Sequence, residues 1–411
     1  MRVLWFTNTP SNYLHETNAY NGGGWISSLE SVLSKQKGIE LGVAFFLNRE
    51  PSKVTNDGIS YYPISNPYAG SFKKKIMSLF IPLRKQERTK LNEYLRVIDD
   101  FKPDIINIFG TEQSFGLVTQ YIKTPVVIHL QGLLIPYLNA YFPPGYNFFD
   151  YFFLDWNPLK MYRRWRSYVV FTQNSIREKS ILRCNYHFMG RTEWDKIILS
   201  IYNPHASYNY CSEILRDTFY KRCERIIPEE LTITTTISNP LYKGFDMVLK
   251  CANILKNDMN LNFKWRVFGN INPKLVERKE GIASKDVGVI LMGVASQQEL
   301  MLYISTSTLY VHPSYIDNSP NSVCEAQLLG CTVIGQDVGG MSSLIKQGVT
   351  GMLVPANDPF LMAHTIRKLY YNPALNDEIG RKSAEVAFHR HDKEVIVRDL
   401  LSIYKEHIGI K

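Results

Sequence analysis

The sequence predicts an α/β protein of two consecutive parallel-sheet units, and three observations carry that reading. At 411 residues the chain is longer than one hydrophobic core usually supports, so two domains are expected. Short β-rich runs alternate with segments of helical spacing, the pattern of parallel strands joined by crossovers. The alternation also breaks off and restarts after the charged stretch KRCERIIPEE.

The first strand series opens on RVLWF. It continues with LGVAFFL, after the helical segment ISSLESVLSKQ, and then with PDIINIF and TPVVIHL. The second opens on the β-branched run LTITTTI and proceeds through KWRVFG, VGVILMG, TLYVHPS and CTVIGQD. The domain boundary is placed near Glu229, giving residues 1–228 and 229–391. From about Asp392, apolar residues at Val395, Val397, Leu400, Leu401 and Tyr404 have helical spacing, and this segment, 392–411, is free to pack on either half.

The 45% hydrophobic and 21% charged content is that of a globular protein and excludes a disordered chain. No run of about 18 apolar residues occurs, and MRVLWFTNTP reads as a strand and turn rather than a leader, so a cytoplasmic protein is expected. The six cysteines form no CxxC pair and no metal-ligand spacing with histidine; free thiols in a reducing compartment fit. The net charge of +9 calls for an anionic partner, for which nucleic acid, anionic lipid and a sugar nucleotide all qualify. Two segments of the first half have a double reading. FKKKIMSLFIPLRKQERTK interleaves basic and apolar residues, though Pro82 interrupts its helix, and residues 133–171 are dense in Tyr, Phe and Trp around MYRRWR. Either both lie at a membrane surface, where each Lys or Arg adds about 1 kcal/mol, or they form an aromatic lid and a solvated helix face.

The chemistry concentrates in VHPSYIDNSPNSVCEAQLLGCTVIGQDVGG. A strand ends at His312, and the following loop delivers Asp317, Asn318 and Ser319. Ser319 and Pro320 read as the N-cap and first position of a helix running to Leu329. In open α/β sheets ligands bind beyond the carboxyl ends of strands, and a helix N-terminus there suits a phosphate. Glu325, one to two turns in, is placed to accept hydrogen bonds from a ribose.

This stretch resembles the donor signature of retaining glycosyltransferase family 4, whose GT-B fold sets two Rossmann-like domains facing a cleft. The family has two glutamates separated by seven residues and then A-x-x-x-G-x-x-V; here stand Asp317, Glu325, Ala326, Gly330 and Val333, with Asp in place of the first Glu. The resemblance implies that Asp317 contacts the transferred sugar, that Glu325 contacts the ribose, and that Asn318, Ser319, Asn321 and Ser322 line the nucleotide site. PLYKGFDMVLKCANIL resembles the family's phosphate-binding segment, in which Lys243 would stabilise the departing diphosphate. The arginine expected five or six residues earlier is missing, since Ile237, Ser238 and Asn239 stand there. Asn239, Gly269 and Val294 fall beside the nucleotide on the same grounds, and the match runs from Leu231 to about Leu369.

The N-terminal half matches at fewer points. NGGGW brings Gly23 and Gly24 toward donor phosphate or acceptor, an approach glycine permits. FKPDIINIFGTE brings Glu112 to the acceptor side, and VVIHLQG places His129 where the family keeps an active-site histidine. MGRTEWDKIILSIYNP is similar to bacterial polysaccharide-assembly transferases, with Arg191 as the replacement cation and Asp195 near the acceptor. Arg191 and Asp195 read equally well as a structural ion pair, His129 as a core histidine, and His312 and Cys324 as packing residues.

The function so implied is a retaining glycosyltransferase. It would move a sugar from a nucleotide-diphosphate sugar to a glycan or lipid-linked glycan in polysaccharide biosynthesis, at the inner face of the cytoplasmic membrane. No cofactor or metal is expected, because no D-x-D triplet occurs in a suitable loop, and no nucleic acid partner is expected. A sugar-nucleotide epimerase or hydrolase on the same fold, and a non-catalytic carbohydrate- or nucleotide-binding protein, are the alternatives.

Overall fold

The computed structural model describes the chain except residues 14–23, 48–52, 66–80, 82, 155, 222–224, 226, 239–240 and 410–411. Two compact units emerge. The first comprises Met1–Ile135, Val170–Ile214 and His391–Lys411; the second comprises Pro136–Val169 and Leu215–Arg390. Residues 215–228 and most of the aromatic stretch, assigned from sequence to the first domain, thus group with the second.

The first unit is built on eight described strands: β1 (Arg2–Thr7), β2 (Glu40–Phe46), β3 (Val54–Asn56), β4 (Ile59–Ile64), β5 (Ile105–Phe109), β6 (Val126–His129), β7 (His187–Gly190) and β8 (Ser207–Tyr210). Their order is β3-β4-β2-β1-β5-β6-β7-β8. All pairings are parallel except the β3–β4 hairpin, which turns on Asp57 and Gly58, both at positive φ as a two-residue hairpin requires. β1 lies at the centre and alternates its side chains between two cores. Val3 and Trp5 meet Trp25, Ile26 and Leu29 of the helix Gly24–Leu33, together with Ile396, Leu400 and Tyr404 of the C-terminal helix Lys393–Ile408. Leu4 and Phe6 meet Tyr94, Val97 and Phe101 of the helix Leu83–Phe101 on the other face. Each such side chain contributes about 1.5–3 kcal/mol when fully buried. The terminal helix therefore belongs to the first unit, and Trp5 Nε1 donates to the Tyr404 hydroxyl at 3.2 Å.

The second unit carries six described strands: β9 (Leu231–Thr236), β10 (Phe263–Phe268), β11 (Val289–Gly293), β12 (Leu309–His312), β13 (Val333–Gln336) and β14 (Met352–Val354). They are all parallel, in the order β11-β10-β9-β12-β13-β14. The chain winds outward through β10 and β11, then returns to the other side of β9. The winding direction reverses between β9 and β12, and ligands of open α/β sheets bind at such a switch point, beyond the strands' carboxyl ends. Phe142, Leu154 and Tyr146 of the aromatic stretch pack on this unit's core beside Leu241 and Tyr242. The sequence reading had placed that stretch in the acceptor half. The basic segment 72–90 falls largely outside the described residues, with the helix Leu83–Phe101 beginning directly after Pro82. No described helix is long and apolar enough to cross a membrane.

Candidate functional site

At the second unit's switch point, the segments following β9 and β12 meet. β9 leads into a short 3-10 turn, Leu241–Lys243, and Gly244 opens the helix Phe245–Asn253. Gly244 has φ +81°, and a Cβ there would stand 1.9 Å from the carbonyl oxygen of Pro313, just past β12. Only glycine lets the two backbones approach this closely. The Tyr315 N–H donates to the Tyr242 carbonyl at 2.8 Å and ties the same loops together.

This junction delivers Lys243 to Asp317, with Nζ 2.6 Å from Oδ2. Asp317 is 6% exposed, and three side chains converge on its carboxylate. Besides Lys243, His312 Nε2 lies 3.2 Å from Oδ2, and the Tyr137 hydroxyl donates to Oδ1 at 3.0 Å. Burial opposes ionisation of Asp317, but the Lys243 ammonium and the His312 hydrogen bond outweigh it and hold the carboxyl well below its usual range. A second glycine fixes the loop from behind: a Cβ on Gly339, φ +55°, would meet the Asp317 carbonyl oxygen at 1.9 Å, and the Gly340 N–H donates to that oxygen.

The following helix is Asn321–Leu328, one residue shorter at each end than expected. Its N-cap is Pro320, not Ser319, and no side chain caps it. Proline has no acceptor side chain, whereas the Ser319 hydroxyl turns instead toward Cys324 Sγ, at 3.9 Å. Asn318, Ser319, Asn321 and Ser322 form the turn into this helix, as the sequence reading placed them. Glu325, on the helix, is 2% exposed and bound bidentately by Arg216: Nε to Oε1 and Nη2 to Oε2, both 2.6 Å. Gly269, at φ +130°, follows β10 and donates to the Gly293 carbonyl at 2.8 Å, while Val294, just past β11, is 55% exposed. Asn239 and Gly23 lie outside the described residues; Gly24 opens the helix Gly24–Leu33.

In the first unit the predicted residues divide differently. Glu112 follows β5 and accepts a hydrogen bond from Asn8 Nδ2, just after β1, at 2.8 Å. β1 and β5 flank that sheet's own switch point, and burial raises the Glu112 carboxyl. His129 ends β6 fully buried between the rings of Trp25 and Phe109, at centroid distances of 5.1 and 5.7 Å, and neither ring nitrogen has a hydrogen-bond partner. Burial, aided by the charge of Arg191, pushes its pKa down to about 3, so the imidazole is neutral. Arg191 is buried too. Its guanidinium lies over Trp25 at 5.2 Å, donates to the Gln131 carbonyl and pairs with Glu213 at 3.4 Å. It is thus engaged within the first unit, whereas Lys243 and Asp317 belong to the second. Asp195 is fully buried, accepting from the Arg191 backbone N–H and the Tyr208 hydroxyl. Asp195 thus meets Arg191 through the backbone N–H.

Sequence reasoning missed Tyr137 and Arg216 and read His312 as packing. Tyr137 lies 180 positions from Asp317, and Arg216 lies 109 from Glu325, with no local motif around either.

Residues 230–372 match the model of the family described as glycosyl transferases group 1. Among curated proteins, the chain is 31% identical over 110 residues to a D-inositol 3-phosphate glycosyltransferase of Nocardioides sp., covering 27% of this chain and 24% of the relative. It is 26% identical over 122 residues to the alpha-D-kanosaminyltransferase of Streptomyces kanamyceticus, covering 30% and 31%. These alignments span a third or less of the relatives' length. Two solved structures align over nearly their whole length: sucrose-phosphate synthase from Thermosynechococcus elongatus (14% identity, 99% of each chain, TM-score 0.73) and Anabaena HepE in complex with UDP (12%, 99% of this chain and 100% of that one, TM-score 0.66). That likeness establishes the GT-B fold.

Proposed function

We propose that this chain is a glycosyltransferase that takes its sugar from a nucleotide-diphosphate sugar bound at the switch point of the second unit. The Lys243–Asp317 pair supports this reading, because it sets a cation and a buried acid side by side beyond β9 and β12. The match of residues 230–372 to group 1 glycosyltransferases supports it, and UDP in the HepE structure supports a nucleotide-sugar donor. Lys243 and the uncapped N-terminus of the helix Asn321–Leu328 would hold the diphosphate, and Glu325 the ribose. Arg216, held beside Glu325, is better placed than Arg191 to stand for the missing arginine.

Transfer is read as retaining. The bond from the anomeric carbon to the diphosphate breaks, the acceptor oxygen forms its bond on the same face, and the acceptor's proton passes to the leaving diphosphate. Lys243 offsets the charge that builds there. No metal is required in this scheme. Glu112 marks the acceptor side of the first unit. The acceptor is read as a glycan or lipid-linked glycan of polysaccharide assembly at the cytoplasmic face of a membrane. Supporting the membrane, Phe149, Trp156, Leu159 and Trp165 are exposed among Lys160 and Arg163, a composition suited to an anionic headgroup layer.

The deciding experiment is a thermal-shift screen of nucleoside diphosphates, followed by NMR of the product's anomeric configuration. A diphosphate at a hundredfold excess over its Kd adds about 2.7 kcal/mol of stability. No shift with any diphosphate, or an inverted product, overturns the reading.

A further inference from the structure

The three groups on Asp317 differ in kind. Lys243 brings a charge, and His312 a fixed ring nitrogen from the end of β12. Tyr137 does something else: its hydroxyl donates to Oδ1 at 3.0 Å and accepts from the Asn318 backbone N–H at 3.2 Å. A sugar hydroxyl bound at this acid would make the same pair of hydrogen bonds, giving its proton to the carboxylate and taking one from a backbone amide. Resting on the glycosyltransferase reading, we propose that Tyr137 holds the position of a donor-sugar hydroxyl and is exchanged for that hydroxyl when the donor binds.

Three observations support the exchange. The phenol is a competent stand-in, because burial and then the nearby Asp317 charge keep it protonated far above the usual range. Its ring is positioned independently of its hydroxyl. It stands edge-on to Tyr242 at 5.4 Å, and Tyr242 also meets Tyr141, so the ring keeps an aromatic support if the hydroxyl is lost. Finally, the carboxylate is an aspartate, one carbon shorter than the glutamate of the related signature. Its Oδ1 takes the phenol and a share of the Asn318 N–H, while Oδ2 takes Lys243 and His312, so a sugar hydroxyl reaching Oδ1 competes with the phenol for both.

The exchange makes Tyr137 a specificity residue. A sugar offering a hydroxyl that both donates and accepts replaces the phenol bond for bond. A sugar lacking it leaves the carboxylate and amide to Tyr137 and gains nothing there. A bare diphosphate carries no sugar hydroxyl to take the phenol's place.

The test uses the full chain and its Tyr137→Phe variant, titrated calorimetrically with UDP and UDP-glucose and, in parallel, with the ADP/ADP-glucose and GDP/GDP-mannose pairs. The variant keeps the ring and removes the competitor. Affinity for the sugar nucleotide should rise about tenfold relative to its diphosphate, with diphosphate affinity unchanged. An unchanged ratio, or a sugar nucleotide that binds more weakly, overturns the proposal while leaving the glycosyltransferase reading intact. If the wild type binds none of the diphosphates, that reading fails and the proposal with it. A readout that does not depend on the variant's folding is 3-fluorotyrosine at position 137. Its fluorine resonance should shift with the sugar nucleotide and not with the diphosphate, and equal shifts with both overturn the exchange.

Discussion

Replacing Arg216 by alanine removes one partner of a nearly closed ion pair. The Glu325 side chain is 3% exposed and Arg216 26%, and both bonds are 2.6 Å. Breaking a buried pair by deleting one partner costs about 3–5 kcal/mol, because the remaining charge loses its counter-ion. The guanidinium is open to water on one side, which lets solvent reach the carboxylate and reduces the loss to roughly 2–3 kcal/mol. For a unit of about 200 residues, each kcal/mol moves the melting temperature by about 2–4 °C, so the second unit should melt roughly 5–10 °C lower. Scanning calorimetry reads this directly. The companion is a double-mutant cycle with Glu325→Gln: once Glu325 is neutral, removing Arg216 should cost little, giving a coupling of at least about 1 kcal/mol. A melting shift below about 1 °C, or additive single and double variants, would refute the claim that Arg216 is the counter-ion that holds Glu325 in place.

Lys243→Ala should lower kcat by about two to three orders of magnitude, and a variant with normal kcat and only a raised KM would mean the lysine does not assist departure. The same substitution lets the Asp317 pKa rise toward its ordinary value of 3.8. A carboxylate held low in the folded state contributes stability above that value and loses it as pH falls toward its folded pKa, so the gap between wild type and variant in urea unfolding should begin to close below about pH 4. Gly244→Ala places a methyl against the Pro313 carbonyl at positive φ, whereas Gly348→Ala meets open space at a similar φ of +71°. The first should lose soluble expression or nucleotide binding, and the second only about 1 kcal/mol of stability; equal effects would show that the close approach is not needed. His129 takes a proton only near pH 3 when folded but near 6.5 when unfolded. It should therefore cost stability as pH falls from 6.5 toward 3, at up to about 1.4 kcal/mol per unit, and His129→Phe should flatten that slope.

Much of the architecture was legible because strands of a parallel sheet are buried on both faces and read as short apolar runs. RVLWF, PDIINIF, LTITTTI and TLYVHPS all name strands now seen. The donor loop was legible for a related reason: the acids, Lys-Gly and glycines that shape it sit within short motifs. β7 and β8 were missed because HFMG and SYNY are too short and mixed to show a period. The Asp57–Gly58 hairpin signal was present and unused. The partners of the acids were illegible in principle. Tyr137 and Arg216 reach Asp317 and Glu325 only through the fold, and nothing local marks either residue. Arg191 looked available because its sequence neighbours are polar, whereas Trp25, Gln131 and Glu213 come from far along the chain to enclose it.

The return of the helix Lys393–Ile408 to the first unit also bears on how this protein is made. Trp5 lies 399 positions from its hydrogen-bond partner Tyr404. Nascent domains generally fold from the N-terminus onward, but here the core of the first unit stays incomplete until Tyr404 has been made. The second unit, whose segments end at Arg390, has all its residues earlier. The later-numbered unit should therefore mature first. A released chain ending at residue 391 should carry a protease-resistant second unit beside a first unit that is still digestible.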